Sequence, residues 1–312
     1  MENYIPDYYK NFTCIADKCK HNCCIGWEID IDDDTLDYYH SLSGEFRLRL
    51  DNSITTENDT SYFKLQDNER CPFLNKNNLC DIILTLGEDA LCQICTDHPR
   101  FRNYYDFHTE LGLGLTCEAA SKLILTNKNK VQLINSVTGN IFIPSDDIND
   151  VFNIRQNIFD ILQDRNFTVD ERIKTLITTY NLKMTNKTLH EWREIYLQLE
   201  HLDESWCESI KNIGFCANSK PELLTTPEWQ IGFEQLLVYF IYRHFADCQY
   251  DGLFHERLSF CILSYIIIKS ICLSKDDSSI ETLLDISRQY SSEIEYCEEN
   301  IERLLNELQT KA

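Results

Sequence analysis

Residues 14–27 read CIADKCKHNCCIGW, and four cysteines within eleven residues constrain this chain more than any other feature. Cys23 and Cys24 are adjacent, and adjacent cysteines do not readily form a disulfide with each other. They can project thiolates into one pocket if the chain turns, and Gly26 supplies the freedom to turn. The stretch therefore reads as half of a metal or iron–sulfur cradle. Cys71, Cys80, Cys92, Cys95 and Cys117 follow, so nine of the fifteen cysteines lie in the first 117 residues.

The spacing is C-x4-C-x3-C-C, then C-x8-C, C-x2-C and Cys117. Zn²⁺ and iron–sulfur clusters both require several thiolates converging at fixed distances, and all-thiolate ligation suits either. Free cysteine also serves as a small buried hydrophobe. Nine exceeds the four ligands of one site, so either two sites exist or some members are structural. The C-x3-C-x2-C run of radical S-adenosylmethionine enzymes is missing, because the cysteine after Cys23 is adjacent to it. The other six (Cys207, Cys216, Cys248, Cys261, Cys272 and Cys297) are scattered without ligand spacing and read as packing residues.

The redox compartment decides between disulfides and ligands. The opening MENYIPDYYKNF has acidic and aromatic residues early and no apolar segment of a secretory signal. The longest apolar run, residues 258–273, is interrupted by Lys269 and is shorter than a bilayer span, which favours a buried helix. A cytoplasmic protein with reduced thiols is expected, and there clustered cysteines favour metal ligands. The formal net charge of −22 argues against nucleic acid and against an anionic membrane surface as partners, while remaining compatible with a basic substrate such as a lysine side chain.

A mainly α fold is predicted: an irregular cysteine-rich module with a few short strands over residues 1–143, then a helical domain over 144–312. Tyr4, Tyr8, Tyr9 and Phe12 are expected to form a lid over the first cysteines. Asp33 or Asp34 caps a short helix ending near Leu42. The Asn-rich turn in CPFLNKNNLCDI lets Cys71 and Cys80 approach each other. Cys92 and Cys95 are expected at the end of a helical turn opened by Gly87 and stopped by Pro99. Thr116 is expected to cap a helix beginning at Cys117, where the helix dipole favours a thiolate. A small hairpin or a pair of strands is predicted over 131–143, around Thr138-Gly139-Asn140. Beyond Pro144, helical spacing covers 145–164, 168–184, 186–201, 203–213, 228–245, 253–273 and 279–308, with Pro221 and Pro227 bracketing a connection and a break near 290–292.

Three further residues are candidates for chemistry. His98 in HPRF suits a ligand, an acid/base or a hydrogen-bonded turn. Arg100 suits cluster charge, a substrate carboxylate or a structural ion pair. Glu110, among aromatics, suits deprotonation of a lysine ammonium, with a solvated surface carboxylate as the plainer reading. Gly112-x-Gly114 is too short for a nucleotide fingerprint, and no G-x-G-x-x-G occurs, so a Rossmann-type methyltransferase fold has no support. The mostly apolar FEQLLVYFIYRHF, punctuated by Glu234, Arg243 and His244, reads as core packing.

The pattern YYxxFxCIADKCKHNCCIGWEIDID, then CPFLNKNNLCDI, LCQICTDHPR and LGLTCEAA, resembles the flagellin lysine-N-methylase family of FliB type, which contains a cysteine-rich CxxCxxCC zinc- or iron-chelating module. FEQLLVYFIYRHF is similar to that family's C-terminal half. The resemblance implies methyl transfer from S-adenosylmethionine to lysine ε-amines of flagellin. It also implies a cysteine module holding a 4Fe–4S cluster, or alternatively zinc. The family's cysteines carry over onto Cys14, Cys19, Cys23, Cys24, Cys71, Cys80, Cys92, Cys95 and Cys117. The front spacing departs from the module's two-residue gaps. A polar methyl transfer needs a neutral, in-line amine, for which a cluster is not required; its role would be a structural staple or binding of the donor's amino and carboxylate groups. The rival readings are a non-enzymatic zinc- or iron-chelating or metal-delivery protein and a redox protein using Cys92 and Cys95.

Overall fold

The computed structural model describes residues 2–144, 147, 150–184, 186–214, 225–275, 277 and 279–309; Ser145, Cys216 and Pro221, singled out above, lie outside them. The fold is mainly α, as the sequence predicts, with short strands gathered in two small sheets. By contact the chain divides into two compact units. One holds Thr13–Phe101 with Cys117–Ala119; the other holds Met1–Phe12, Arg102–Thr116 and Ala120–Ala312. The division therefore falls elsewhere than Pro144. Tyr4, expected in an aromatic lid, lies in a strand. Glu2–Pro6 is a strand of the helical unit, parallel to His108–Leu113 (Glu2 opposite His108) and antiparallel to Leu133–Asn135 (Tyr4 opposite Asn135). This non-local pairing satisfies the strand's backbone groups.

In the cysteine-bearing unit, Asp30–Ile31, Thr60–Phe63 and Ile54–Glu57 form a three-stranded antiparallel sheet. Asp32, one residue before the expected cap, receives the Thr35 N–H and starts the helix Asp33–Ser41. Ile29, Ile31, Tyr39, Leu50, Phe63, Phe73, Leu74 and Ile82 form its core, and Cys71 and Cys92 are buried among them.

The helical unit carries the four-stranded sheet, ordered Arg100–Tyr104, His108–Leu113, Glu2–Pro6, Leu133–Asn135. The predicted hairpin is present: the Asn135 amide donates to Asn140 O, and Gly139 turns at φ +74°. Local signals also place the helices. Thr168 with Glu171, and Thr188 with Glu191, form capping boxes that start Val169–Thr179 and Leu189–Tyr196. Asp203 caps Glu204–Lys211, and Pro227 occupies the first turn of Pro227–Phe240. Phe254–Ser274 is mostly apolar, and its middle, Leu258–Cys272, lies largely in the core. At 21 residues it is long and apolar enough to cross a membrane, which corrects the shorter run read from the sequence; 67% of its apolar window is buried within the fold. The break near 290–292 is a π-helical turn, Ser291–Glu295, between Ile280–Tyr290 and Glu298–Leu308. A second π turn, Ile241–Phe245, extends Pro227–Phe240.

Candidate metal centre and the surrounding acid–base groups

Backbone pairing brings the cysteine segments together. Asn22 Oδ1 accepts the Cys24 amide at 2.9 Å, and Gly26 turns the chain at φ +78°. The Cys71 amide then donates to Cys24 O at 2.8 Å, which seats the second segment beside the first. The Asn-rich turn works as predicted. Asn75 Oδ1 accepts the amides of Asn77 and Leu79, Leu74 bridges to Cys80, and the Asp81 amide closes on Phe73 O. Amides of Phe73 and Leu74 point at the Cys71 sulfur, and those of Ile82 and Ile83 at Cys80. Such N–H groups stabilise thiolates.

As expected, Gly87 opens a short helical turn, Glu88–Ala90, and Cys92 lies just past its end; Cys92 and Cys95 also open the next turn. Gly87 closes the preceding helix Asp81–Leu86, and Cys92 directly precedes Gln93–Asp97. Asp32 Oδ2 caps that turn through the Gln93 amide at 2.7 Å. The two sulfurs lie 3.4 Å apart. That separation is less than two Zn–S bonds of about 2.3 Å each, so one ion can reach both.

Cys24, Cys71, Cys80, Cys92 and Cys95 lie within electrostatic reach of one another, with Cys23 against Cys24. Burial pushes the Cys71 thiol up to about 11, and it raises Cys80 as well. A hydrogen bond from the Cys24 thiol brings Cys23 down to about 7. The Cys95 thiol likewise lowers Cys92. Several thiolates crowded together repel, and a multivalent cation supplies the charge that lets them all ionise. The donor set is sulfur throughout, so these residues fit an iron–sulfur cluster or zinc.

The other predicted ligands form a second group. Cys19 lies near Cys117, and its thiol faces Glu118 Oε2 at 3.6 Å; burial pushes it up to about 12. Cys14 is exposed and accepts the Ala16 amide at 3.4 Å. Cys117 directly precedes the helix Glu118–Leu125. The helix begins one residue later than expected, and the Thr116 hydroxyl bonds Ser292 Oγ at 2.7 Å.

The catalytic candidates fall in different units. His98 and Arg100 stay beside Cys95. His98 is half-buried, burial lowers its pKa, and Arg100 Nη1 donates to Thr96 O at 3.1 Å. Glu110 belongs to the other unit and is fully buried, contrary to the surface reading. Arg155 clamps both its oxygens at 2.7 and 2.5 Å, and His108 Nε2 lies at 3.2 Å. Burial would raise this carboxyl, but the guanidinium prevails and holds it below the usual range. Its charge is thereby committed to Arg155.

Comparison with known proteins places the chain. Residues 181–312 match the model of the FliB lysine N-methylase C-terminal domain. The flagellar biosynthetic protein FliU of Salmonella muenchen is 30% identical over 134 residues, 41% of this chain and 79% of the relative. The chain belongs to the FliB lysine N-methylase family. Lysine-N-methylases of Salmonella choleraesuis and Salmonella typhimurium are 29% identical over 135 residues, covering 41% of this chain and 33% of each relative. The chain thus spans about a third of the length of those two methylases. No solved structure gives a significant match.

The matched FliB domain contains none of the nine clustered cysteines. It does contain groups that sequence reasoning passed over. Cys207, set aside as packing, is buried, and its sulfur lies within 4.8 Å of ligand atoms of His201 and Glu204; the three-residue spacing H-x2-E-x2-C was the available signal. The charges punctuating FEQLLVYFIYRHF are also buried or nearly so, and each has a partner. Glu234 meets Arg165 and Arg172, and Glu295 meets Arg243 and His244.

Proposed function

We propose that this chain is a protein-lysine N-methyltransferase whose substrate is flagellin and whose methyl donor is S-adenosylmethionine, and that its cysteine module holds an iron–sulfur cluster. The match of residues 181–312 to the FliB lysine N-methylase domain carries the methyltransferase part of this reading. The names of the relatives, a flagellar biosynthetic protein and two lysine-N-methylases, support a flagellar protein as the acceptor. The cluster's ligands are drawn from Cys24, Cys71, Cys80, Cys92 and Cys95, whose thiols act on one another electrostatically. When bound, the cluster supplies a structural staple or a seat for the donor's amino and carboxylate groups. The chain's own residues orient the sulfurs: Asp32 holds the turn bearing Cys92, and Asn75 holds the turn between Cys71 and Cys80. Among the described residues every cysteine is a free thiol, which suits the reducing cytoplasm we assign to the protein.

The test is transfer of labelled methyl groups from S-adenosylmethionine to purified flagellin by protein prepared without oxygen, with labelled lysines mapped by mass spectrometry. Label on flagellin lysines is expected. Metal bound with no label transferred to any lysine would instead favour a chelating or metal-delivery protein.

A further inference from the structure

The two π turns of the helical unit meet at one carboxylate. Glu295 lies on Ser291–Glu295, and its side chain is fully buried. Four groups surround it: His244 Nε2 at 2.6 Å, Tyr239 OH at 3.0 and 3.1 Å, and Arg243 Nε at 3.4 Å, with Ser291 beside them. Arg243 and His244 come from the other turn, Ile241–Phe245. π turns inside α-helices frequently mark functional positions, since each leaves backbone carbonyls to be satisfied from outside. In Ile241–Phe245 the Cys261 thiol donates to Phe240 O at 3.3 Å and Arg257 Nη1 to His244 O at 3.0 Å; in Ser291–Glu295 the Asn300 side-chain amide donates to Glu293 O at 2.9 Å.

The chemistry of the pair follows from charge. Glu295 and Arg243 neutralise each other, so His244 gains little from adding a proton in this buried setting. Burial lowers its pKa, and Arg243 adds to that; Glu295 and Asp247 act in the opposite direction. A neutral imidazole that donates from Nε2 to Glu295 carries its lone pair on Nδ1. Among the described residues no group pairs with Nδ1, and 8% of the side chain remains open to solvent. Phe240 and Phe260 flank the ring, with centroids at 6.3 and 5.4 Å. An oriented base, a carboxylate fixing its tautomer and apolar walls form the base–orienter arrangement of acid–base sites.

We propose that His244, oriented by Glu295, is the general base that deprotonates the target lysine, an assignment that rests on the methyltransferase reading above. An ammonium has no lone pair and cannot attack. His244 Nδ1 takes one proton from the lysine Nζ. The freed pair on Nζ then forms the N–C bond to the methyl of a sulfonium donor, whose C–S bond breaks with its electrons left on sulfur. His244 and Glu295 both lie within the matched methylase domain.

The decisive variant is His244→Gln, whose Nε2 can still donate to Glu295 while the base is lost. It is assayed as full-length protein, with labelled S-adenosylmethionine and purified flagellin, from pH 6 to about 10. The expected loss in kcat near neutral pH is about 10²–10⁴-fold, with KM and the thermal midpoint unchanged. The variant should recover rate as pH approaches the ordinary lysine value of about 10.4, whereas wild type reaches a plateau well below it. Equal kcat and an identical profile would overturn the assignment while leaving the methyltransferase reading intact. Absence of methyl transfer by wild type defeats that reading and this one together. Should the variant not fold, the wild-type kcat profile decides. A plateau reached by neutral pH supports His244, and a rate still climbing toward pH 10 overturns it.

Discussion

Glu110 and Arg155 are both fully buried and bonded through two parallel N–H···O contacts. Phe152, Phe159 and Tyr242 surround the guanidinium, their ring centroids 5.1–5.9 Å from it. Removing one partner strands a charge in a medium that cannot solvate it. Arg155→Met should therefore cost about 3–5 kcal/mol in chemical denaturation, and adding Glu110→Gln should restore part of that loss. Glu295 gives a second, pH-resolved expectation. Burial alone would raise its carboxyl, but Arg243 and His244 hold it at about 2, below its ordinary 4.5. Its folded value lies below its unfolded one, so its stabilisation is fully present above about pH 4.5 and is lost as pH falls through about 2. The stability gap between wild type and Glu295→Gln, measured by urea unfolding, should narrow across that window by about 3 kcal/mol. A gap that stays constant with pH would show that the carboxylate's charge is not what stabilises the fold. Neither partnership was legible in the sequence. Glu110 and Arg155 are 45 positions apart and Glu295 and His244 are 51 apart, and no local pattern pairs them.

At the level of elements, legibility follows how local the determining interaction is. Capping boxes at Thr168 and Thr188, the break at Ser291 and the Thr138–Asn140 turn are set by residues a few positions apart, and each could be read directly. The strand Glu2–Pro6 could not, because its partner begins at His108. The cysteine module lies between these cases. The turn joining Cys71 to Cys80 is local, but the bond from Cys71 N to Cys24 O that assembles the group is not. This assembly separates the cysteines by role. Cys71→Ser or Cys92→Ser should lower iron and acid-labile sulfide content in protein purified without oxygen. Cys272→Ser, in the core helix Phe254–Ser274, should leave both unchanged. Equal metal content in all three variants would remove Cys71 and Cys92 from the ligand pool.

For the whole molecule, the two units differ in how much apolar core each can call on. The helical unit buries the long, largely apolar helix Phe254–Ser274 among several others. The cysteine-bearing unit spans Thr13–Phe101 with Cys117–Ala119, and its core is a short set of aliphatic and aromatic residues in which Cys71 and Cys92 occupy interior positions. A unit of this size with a modest core commonly depends on a staple, and ligand binding to the folded state adds directly to its stability. Burial of thiols without a cation leaves Cys71 and Cys80 protonated, whereas metal binding makes them charged ligands and ties three chain segments together. Calorimetry with and without a chelator should therefore separate the units. The transition of the cysteine-bearing unit is expected to shift far down or vanish when metal is removed, while that of the helical unit keeps its midpoint. A thermogram unchanged by chelation would mean that the sulfurs contribute no staple. The metal, if bound at all, would then have to be explained by donor binding and not by folding.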